Sequence, residues 1–221
     1  MSKFIRSVVT AFLITLGSAG AASAQLANGS FELGSQNPGA FWITLGPGAA
    51  VMNGWTVDAG EVDYIGGWWP ASEGTKSIDM NGRVAGQISQ YFPTTPGVTY
   101  ALSFDMSGNA DDAPVIKLMT VTADGSKSQT YAYDTSLTGN NRSDMKWGSH
   151  VYTFVAESDL TLLTFKSDVN GFFGPVLDNV ELLSGVCHRN FGKKGQKTLM
   201  VDPHAVAAHL AHGDTPGPCE E

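Results

Sequence analysis

The chain is poor in positive charge. Its 221 residues include 13 Lys and Arg against 21 Asp and Glu, a formal net charge of −8 at pH 7. Without the N-terminal segment discussed next, which holds two basic and no acidic residues, the balance is 11 − 21 = −10. An acidic surface repels phosphate backbones and anionic lipids. The composition therefore argues against nucleic acid or an anionic membrane as a partner and is compatible with neutral sugars and cations.

Long apolar runs are also scarce. The run from Val8 to Leu16 follows two basic residues, and the small residues Ala22–Ala24 come shortly after it. This is the pattern of a secretory signal peptide over residues 1–24, cleaved before Gln25. The run is too short for a membrane span, and no later run is longer. We expect a secreted or cell-envelope protein with no membrane span after cleavage.

Signatures of catalysis are missing. The sequence has no Gly-x-Ser-x-Gly elbow, no His-Glu-x-x-His pair, no phosphate-binding loop and no dinucleotide fingerprint. Cys187 next to His188 could suggest a catalytic nucleophile with its base. Adjacent residues on a strand point to opposite sides, however, so the two side chains would not meet. Asp63 and Glu73 could in principle serve glycoside hydrolysis, yet carboxylates are too common for such a pair to indicate it. We expect a protein without enzymatic activity.

Helical periodicity is missing as well. From Leu26 to Leu183, short apolar runs are punctuated by Gly, Pro, Asn and Asp, and the segment Tyr100–Met106 alternates most cleanly. Alternation with period two predicts strands with one buried face. Roughly ten such runs without helical interludes predict an all-β fold, a sandwich of two antiparallel sheets over residues 25–183.

The stretch Gly174–Leu182 poses a problem of charge burial. With a period of two, Asp178 shares a face with Val176, Val180 and Leu182, so it lies in the apolar register. A carboxylate turned toward a core costs several kcal/mol unless it is paired, hydrogen-bonded or bound to a cation. The candidate partner lies near the other end of the chain, where Glu32 flanks a short apolar run. If the first and last strands pair, the two carboxylates could share a cation.

Three motifs in a fixed order carry a family resemblance. They are Asn28–Glu32, the block Val62–Asp79 and Gly174–Val180. Together they resemble the secreted bacterial choice-of-anchor C family, related plant cell-wall proteins and, more distantly, galactose-binding-like carbohydrate-binding modules. The resemblance implies a jelly-roll sandwich. It also implies a structural calcium held by a glutamate of the first strand and an aspartate of the last, which here are Glu32 and Asp178.

Calcium would need more oxygen ligands than two carboxylates supply. The ion takes about six to eight oxygens, and the glycine-containing loop Glu73–Ser77 could add backbone carbonyls. In the alternative, Glu32 lies on the surface and Asp178 caps a neighbouring turn. The apolar register of Asp178 and the resemblance together favour calcium.

Aromatic residues in glycine-rich, polar sequence suggest a carbohydrate site. Sugar rings offer apolar C–H faces to aromatic planes and hydroxyls to carboxylates. Trp68-Trp69 lies between two glycines and a proline, which is not the pattern of a core strand. In the alternative, these tryptophans pack under a loop and Tyr64 belongs to the core. The predicted ligand-binding residues are Asp63, Tyr64, Trp68, Trp69, Glu73 and Trp147.

Residues 184–221 differ in kind from the rest. They hold both cysteines, resemble a small Cys/His module at the ends of many secreted bacterial proteins, and include a short helical run near residues 204–212. Two cysteines in a secreted chain favour one disulfide, Cys187–Cys219. The alternative is a transition-metal site in which His209 and His212, three residues apart on one helix face, converge with Cys187, His188 and Cys219. With the disulfide formed, His188, His209 and His212 remain candidate metal ligands or plain surface residues.

The predicted function is that of a secreted, non-catalytic carbohydrate-binding module, stabilised by Ca²⁺ and directed at an extracellular polysaccharide or cell-surface glycan. The alternative is a structural or adhesive envelope protein, attached through its C-terminal module and without a sugar site. A sandwich fold alone does not choose between them.

Overall fold

The computed structural model describes residues 25–124, 126–189, 195–201, 205–216 and 219. The predicted signal peptide, residues 1–24, lies outside the described residues. The described chain forms two antiparallel β-sheets packed face to face, with two short helices. The prediction of an all-β jelly-roll sandwich followed by a tail with a short helix is confirmed.

The larger sheet carries the features of interest. In spatial order it contains β1 (Trp42–Leu45), β3 (Val62–Ile65), β4 (Ser77–Asp79), β11 (Pro175–Arg189), β6 (Thr99–Gly108) and β9 (Gly148–Val155). Two further strands, β12 (Gln196–Val201) and β13 (Thr215–Pro216), pair with β11.

The smaller sheet covers one face of the larger. In spatial order it contains β2 (Thr56–Ala59), β5 (Gln87–Pro93), β10 (Leu160–Ser167), β7 (Ile116–Ala123) and β8 (Gln129–Asp134). The helices are α1 (Thr135–Thr138), which the sequence did not predict, and α2 (Val206–Ala211) in the tail.

The main core lies between the sheets. Leu102, Phe104 and Met106 of β6 are fully buried there, as their alternation predicts, and Ile88 and Phe165 of the smaller sheet belong to the same cluster. Burying apolar surface of this kind contributes about 25 cal/mol per Å² to the free energy of folding.

A second apolar cluster lies on the outer face of the larger sheet. It consists of the buried Ile65, Trp69, Met145 and Val176, with the half-buried Trp68 and Trp147 packed against them. Residues 66–76, which connect β3 to β4 and are called the cover loop here, contribute both Trp68 and Trp69. The cover loop is therefore packed onto the sheet rather than projecting from it.

Strand β11 changes its inward-facing register at Asn179. Its pairing with β6 shifts just after Asp178, and Asn179 has a φ of 49°. Leu177 faces the main core before this bulge, and Val180 and Leu182 face it afterwards. The prediction that Asp178 shares a face with Val180 and Leu182 is wrong, because a bulge adds one residue to the strand. Asp178 points outward, beneath the cover loop.

The two ends of the sandwich meet through a backbone hydrogen bond rather than as paired strands. Val180 N donates a 2.9 Å hydrogen bond to Gly29 O. A Cβ added to Gly29 would lie only 1.8 Å from Val180 O, so glycine permits this approach. Glu32 lies in an irregular segment, and the first strand, β1, pairs with β3. The predicted pairing of first and last strands is therefore wrong.

The tail continues from the larger sheet. Strand β11 runs without a break across the predicted boundary between residues 183 and 184, which stays a prediction. The predicted disulfide Cys187–Cys219 is confirmed, with an S–S distance of 2.04 Å. Within the described ranges, no helix has the length and apolar character needed to cross a bilayer.

Candidate functional site: an aromatic groove on the larger sheet

A groove of about 340 Å³ lies on the outer face of the larger sheet, where β1, β3 and β4 meet the cover loop. We call it the aromatic groove. The five aromatic side chains that line it are Trp42, Trp68, Trp69, Phe172 and Phe173. The polar side chains that line it include Asp63, Asp79, Asn109, Asp111 and Arg142.

Exposed rings form part of this lining. Trp42 points outward from β1 and is 41% exposed, and Phe172, in the segment before β11, is 58% exposed. The Trp42 and Trp68 rings meet edge to face, with centroids 5.0 Å apart. An exposed patch of large apolar side chains is a candidate interaction surface, because such side chains are mostly buried in folded proteins.

Arg142 is fixed in place above Trp68. Its guanidinium carbon lies 4.0 Å from the Trp68 ring centroid. Its Nε and Nη2 donate hydrogen bonds of 2.7 and 2.8 Å to the two carboxylate oxygens of Asp111. A two-point contact of this kind orients the guanidinium plane. Arg142 therefore covers one face of Trp68 and presents a defined polar edge to the groove.

Two carboxyl groups lie side by side in the groove. Asp63 of β3 is directly opposite Asp79 of β4. Asp79 is 1% exposed and accepts hydrogen bonds from two backbone amides, at 3.0 and 3.2 Å, and from Asn109 Nδ2 at 2.8 Å. Burial raises the pKa of Asp79 to about 8, although these hydrogen bonds act against the shift. A neutral Asp79 at pH 7 avoids placing two like charges opposite each other.

Asp178 holds the cover loop from below. Its Oδ2 accepts hydrogen bonds from the backbone amides of Ser72 (2.8 Å) and Glu73 (3.0 Å), and its Oδ1 accepts one from Asn179 N (2.7 Å). Its side chain is inaccessible to solvent. Burial raises the pKa of Asp178 to about 7, and the three amide bonds oppose this shift. The partners that the sequence requires for this carboxylate are therefore backbone amides.

Glu32 holds the other end of the cover loop. Its Oε1 accepts hydrogen bonds from Thr75 N (2.7 Å) and Lys76 N (2.6 Å), and Lys76 Nζ lies 3.6 Å from its Oε2. Burial raises the pKa of Glu32, but the bonds from Thr75 and Lys76 outweigh it and the net pKa lies below the ordinary value.

This donor set does not suit calcium. Ca²⁺ needs oxygen ligands, whereas amide N–H groups face both carboxylates and an ammonium group also faces Glu32. The cover loop presents amides rather than the carbonyls that the sequence analysis expected. Calcium at Glu32 and Asp178 stays a prediction, and its test is given below.

Half of the predicted ligand-binding set lies outside the groove. Tyr64 is fully buried in the main core, and its hydroxyl donates to Phe31 O at 2.7 Å, so its predicted contact with a ligand is corrected to a packing role. Trp147 packs on the outer cluster and donates to Pro70 O at 3.2 Å. Glu73 is exposed, and only its backbone amide has a structural contact described above.

The other half lines the groove. Asp63 and Trp68 face it, and Trp69 forms its base, with 4% exposure and an Nε1 hydrogen bond of 3.0 Å to Ser77 Oγ. Trp69 is therefore a packing residue, and its predicted stacking on a ligand is corrected. The aromatic and polar groove residues that the sequence did not indicate include Trp42, Asp79, Arg83, Asn109, Asp111, Arg142, Phe172 and Phe173.

Two of the three histidines predicted as metal ligands in the tail lie together, and the third lies apart from them. His188 and His209 come together, each with Nδ1 within 2.9 Å of Asp214 Oδ2. His212 follows the last residue of α2, is exposed, and takes no part in this cluster. Asp214 was missed because no spacing in the sequence links it to His188.

The fold and the groove define the class: an all-β sandwich with an aromatic groove on one sheet and no indication of a catalytic family. The chain belongs to the family described as "Protein of unknown function (DUF642)", whose sequence model matches residues 24–183. The match covers the predicted sandwich. The resemblance to choice-of-anchor C proteins stays a prediction.

Among curated proteins, the chain is 29% identical over 194 residues to halomucin of Haloquadratum walsbyi, covering 82% of this chain. The chain spans about 2% of the length of that relative. What halomucin does as a whole is therefore not transferred to this chain.

Solved structures give fold-level similarity. A family 35 carbohydrate-binding module from Clostridium thermocellum has a TM-score of 0.39 at 13% identity, covering 64% of this chain and 90% of that one. The family 35 module from Paenibacillus barcinonensis has a TM-score of 0.40 at 14% identity, covering 63% and 97%. TmCBM61 in complex with beta-1,4-galactotriose has a TM-score of 0.42 at 15% identity, covering 73% and 98%. At these scores the similarity carries no argument about the ligand.

Proposed function

We propose that this chain is a non-catalytic module that binds a neutral saccharide in the aromatic groove, outside the cytoplasm. One observation carries the proposal: exposed aromatic rings stand beside fixed hydrogen-bonding groups within one groove on the larger sheet. A sugar ring needs both an aromatic plane for its C–H face and polar groups for its hydroxyls.

Stacking falls to Trp42 and Phe172 in this proposal. Both rings are exposed, whereas one face of Trp68 is covered by Arg142 and Trp69 is buried. Trp68 instead supports Trp42 through their edge-to-face contact. A sugar that covers an exposed ring removes apolar surface from water, at about 25 cal/mol per Å² of area buried.

The charges of the groove favour a neutral ligand. Arg142 is paired with Asp111, and Arg83 donates a 2.9 Å hydrogen bond from its Nε to Glu61. Both cations that line the groove are therefore matched by carboxylates. The Asp63 carboxylate can accept hydrogen bonds from sugar hydroxyls. The Asn109 side-chain amide can donate to them or accept from them. An acidic sugar would add a charge with no free cation among these groups to meet it.

The proposed location rests on two features. The predicted signal peptide directs the chain out of the cytoplasm. The disulfide Cys187–Cys219 belongs to an oxidising compartment.

A glycan array that includes neutral and uronic acid-containing polysaccharides tests the proposal. The array uses the wild-type chain and the variants Trp42→Ala, Phe172→Ala and Tyr91→Ala. Tyr91, in β5 of the smaller sheet, is 63% exposed and serves as the matched control. We expect binding to a neutral glycan that weakens about tenfold, or ~1.4 kcal/mol, in each groove variant and is unchanged in Tyr91→Ala. Absence of any bound glycan, or equal loss in the control, contradicts the proposal.

A further inference from the structure

Two imidazole rings converge on one carboxylate oxygen in the tail. His188 Nδ1 is 2.9 Å and His209 Nδ1 is 2.8 Å from Asp214 Oδ2. The three side chains come from β11, from α2 and from the turn before β13. Each offers one ligand atom, and these atoms all lie within 4.8 Å of one another. We call this group the tail cluster.

We propose that the tail cluster binds one divalent transition-metal ion of the class represented by Zn²⁺. Two imidazole nitrogens and one carboxylate oxygen form a ligand set that proteins use for zinc, with a fourth position left for water. Tetrahedral ligand atoms at about 2.0–2.1 Å from zinc are about 3.3 Å apart. The nitrogen–oxygen separations in the tail cluster need to widen by only about half an ångström to admit an ion.

The surroundings hold these ligands in position. Asp214 Oδ1 accepts a 3.0 Å hydrogen bond from Arg189 N, which leaves Oδ2 directed at both imidazoles. Outer contacts of this kind fix the orientation of a metal ligand. The Asp214 side chain is 1% exposed, whereas those of His188 and His209 are 37% and 28% exposed, so an ion can reach the cluster from the histidine side.

The strand pairing and the disulfide bring the ligands together before any ion binds. Thr215, next to Asp214, pairs with Cys187, next to His188. Cys187 is joined to Cys219 by the disulfide. A site assembled by the fold loses less conformational entropy on binding than one that the ion must assemble.

The competing interpretation is a hydrogen-bonded staple without an ion. In that case each Nδ1 carries a proton that it donates to Asp214, and the cluster only holds α2 against β11. An ion would displace both protons, because imidazole binds metal through an unprotonated nitrogen. The two interpretations therefore differ in whether the folded chain takes up one equivalent of Zn²⁺.

Calorimetric titration of Zn²⁺ into the full, chelator-treated chain, without a polyhistidine tag, tests the proposal. We expect one ion per chain and at least tenfold weaker binding in His188→Gln, His209→Gln and Asp214→Asn. His212→Gln is the matched control: His212 is exposed, follows α2 and lies outside the cluster, so we expect wild-type affinity. Co²⁺ in place of Zn²⁺ is expected to give the visible absorption bands of tetrahedral coordination.

Each other outcome overturns the proposal. If the wild-type chain takes up no stoichiometric Zn²⁺, the cluster is a hydrogen-bonded contact between α2 and β11 and nothing more. Unchanged affinity in His188→Gln or His209→Gln, or an equal loss in His212→Gln, places any ion elsewhere. Thiol titration of each variant under denaturing conditions detects a misfolded tail, since a chain with the Cys187–Cys219 disulfide has no free thiol among its two cysteines.

Discussion

Ser72 and Asp178 lie 106 residues apart in the sequence, yet the Ser72 amide donates a 2.8 Å hydrogen bond to Asp178 Oδ2. The Glu73 amide donates to the same oxygen. A buried carboxylate on β11 thus fixes the cover loop, which carries Trp68 and Trp69, to the outer face of the larger sheet. The aromatic groove depends on this contact because the cover loop supplies one of its walls.

Replacing Asp178 should loosen the cover loop. In Asp178→Ala, the amides of Ser72 and Glu73 lose their acceptor, and we expect the free energy of unfolding to fall by about 1–3 kcal/mol. Urea unfolding measures this change, with Glu157→Ala as control because Glu157 is an exposed carboxylate between β9 and β10. Saccharide affinity should fall as well. Unchanged stability in Asp178→Ala would show that the amides find water or another acceptor at no cost.

The register of β11 shows what the sequence could and could not predict. Period-two alternation identified the strand and the need for a partner to Asp178, because side-chain direction in a strand is a local property. The bulge at Asn179 depends on pairing with β6, which is not local. The predicted face of Asp178 was therefore wrong, although the strand itself was found.

The same distinction applies to the two sites. The disulfide was predictable because the chain has two cysteines and one way to pair them. The tail cluster and the groove draw on residues far apart in sequence. His188 and Asp214, or Trp42 and Phe172, are brought together by the pairing of strands and by the segments that connect them. Trp68 was identified from its glycine-rich setting, whereas Trp42 stands in an ordinary strand pattern.

Calcium provides a direct test of the cover-loop contacts. Because N–H groups face both Glu32 and Asp178, we expect Ca²⁺ added after chelator treatment to leave the melting temperature unchanged. Differential scanning calorimetry with and without millimolar Ca²⁺ is the measurement. A rise in melting temperature that disappears in Glu32→Gln would instead establish the calcium site that the sequence predicts. Mg²⁺ is the control for ionic strength and charge.

The pKa of Asp79 predicts how stability depends on pH. Folding raises this pKa from 3.8 to about 8, chiefly through burial, so the folded chain keeps a proton that the unfolded chain has lost. Stability from this group is fully present below about pH 4 and is lost as the pH rises toward 8, because over this range only the folded chain holds the proton.

Urea unfolding of the wild type and Asp79→Asn at several pH values between 4 and 8 measures this contribution. We expect the wild type to lose more stability over this range than the variant, because the side chain at position 79 of the variant has no proton to lose. In Asp79→Asn, the side-chain amide faces the Nδ2 donor of Asn109 and should lower stability at every pH. The comparison therefore uses how steeply the free energy of unfolding changes with pH, not its absolute value. Parallel slopes would contradict the raised pKa.

Substitution of Arg142 shows whether ligand binding in the groove needs a planar guanidinium or only a positive charge. Lys in its place keeps the charge but cannot make two parallel hydrogen bonds to Asp111 or lie flat against Trp68. We therefore expect Arg142→Lys to weaken binding of the glycan found on the array, and to increase acrylamide quenching of tryptophan fluorescence as Trp68 becomes uncovered. Lys146→Ala, which removes an exposed cation outside the groove lining, is the control. Wild-type affinity and quenching in Arg142→Lys would show that the stacked guanidinium plays no part in the site.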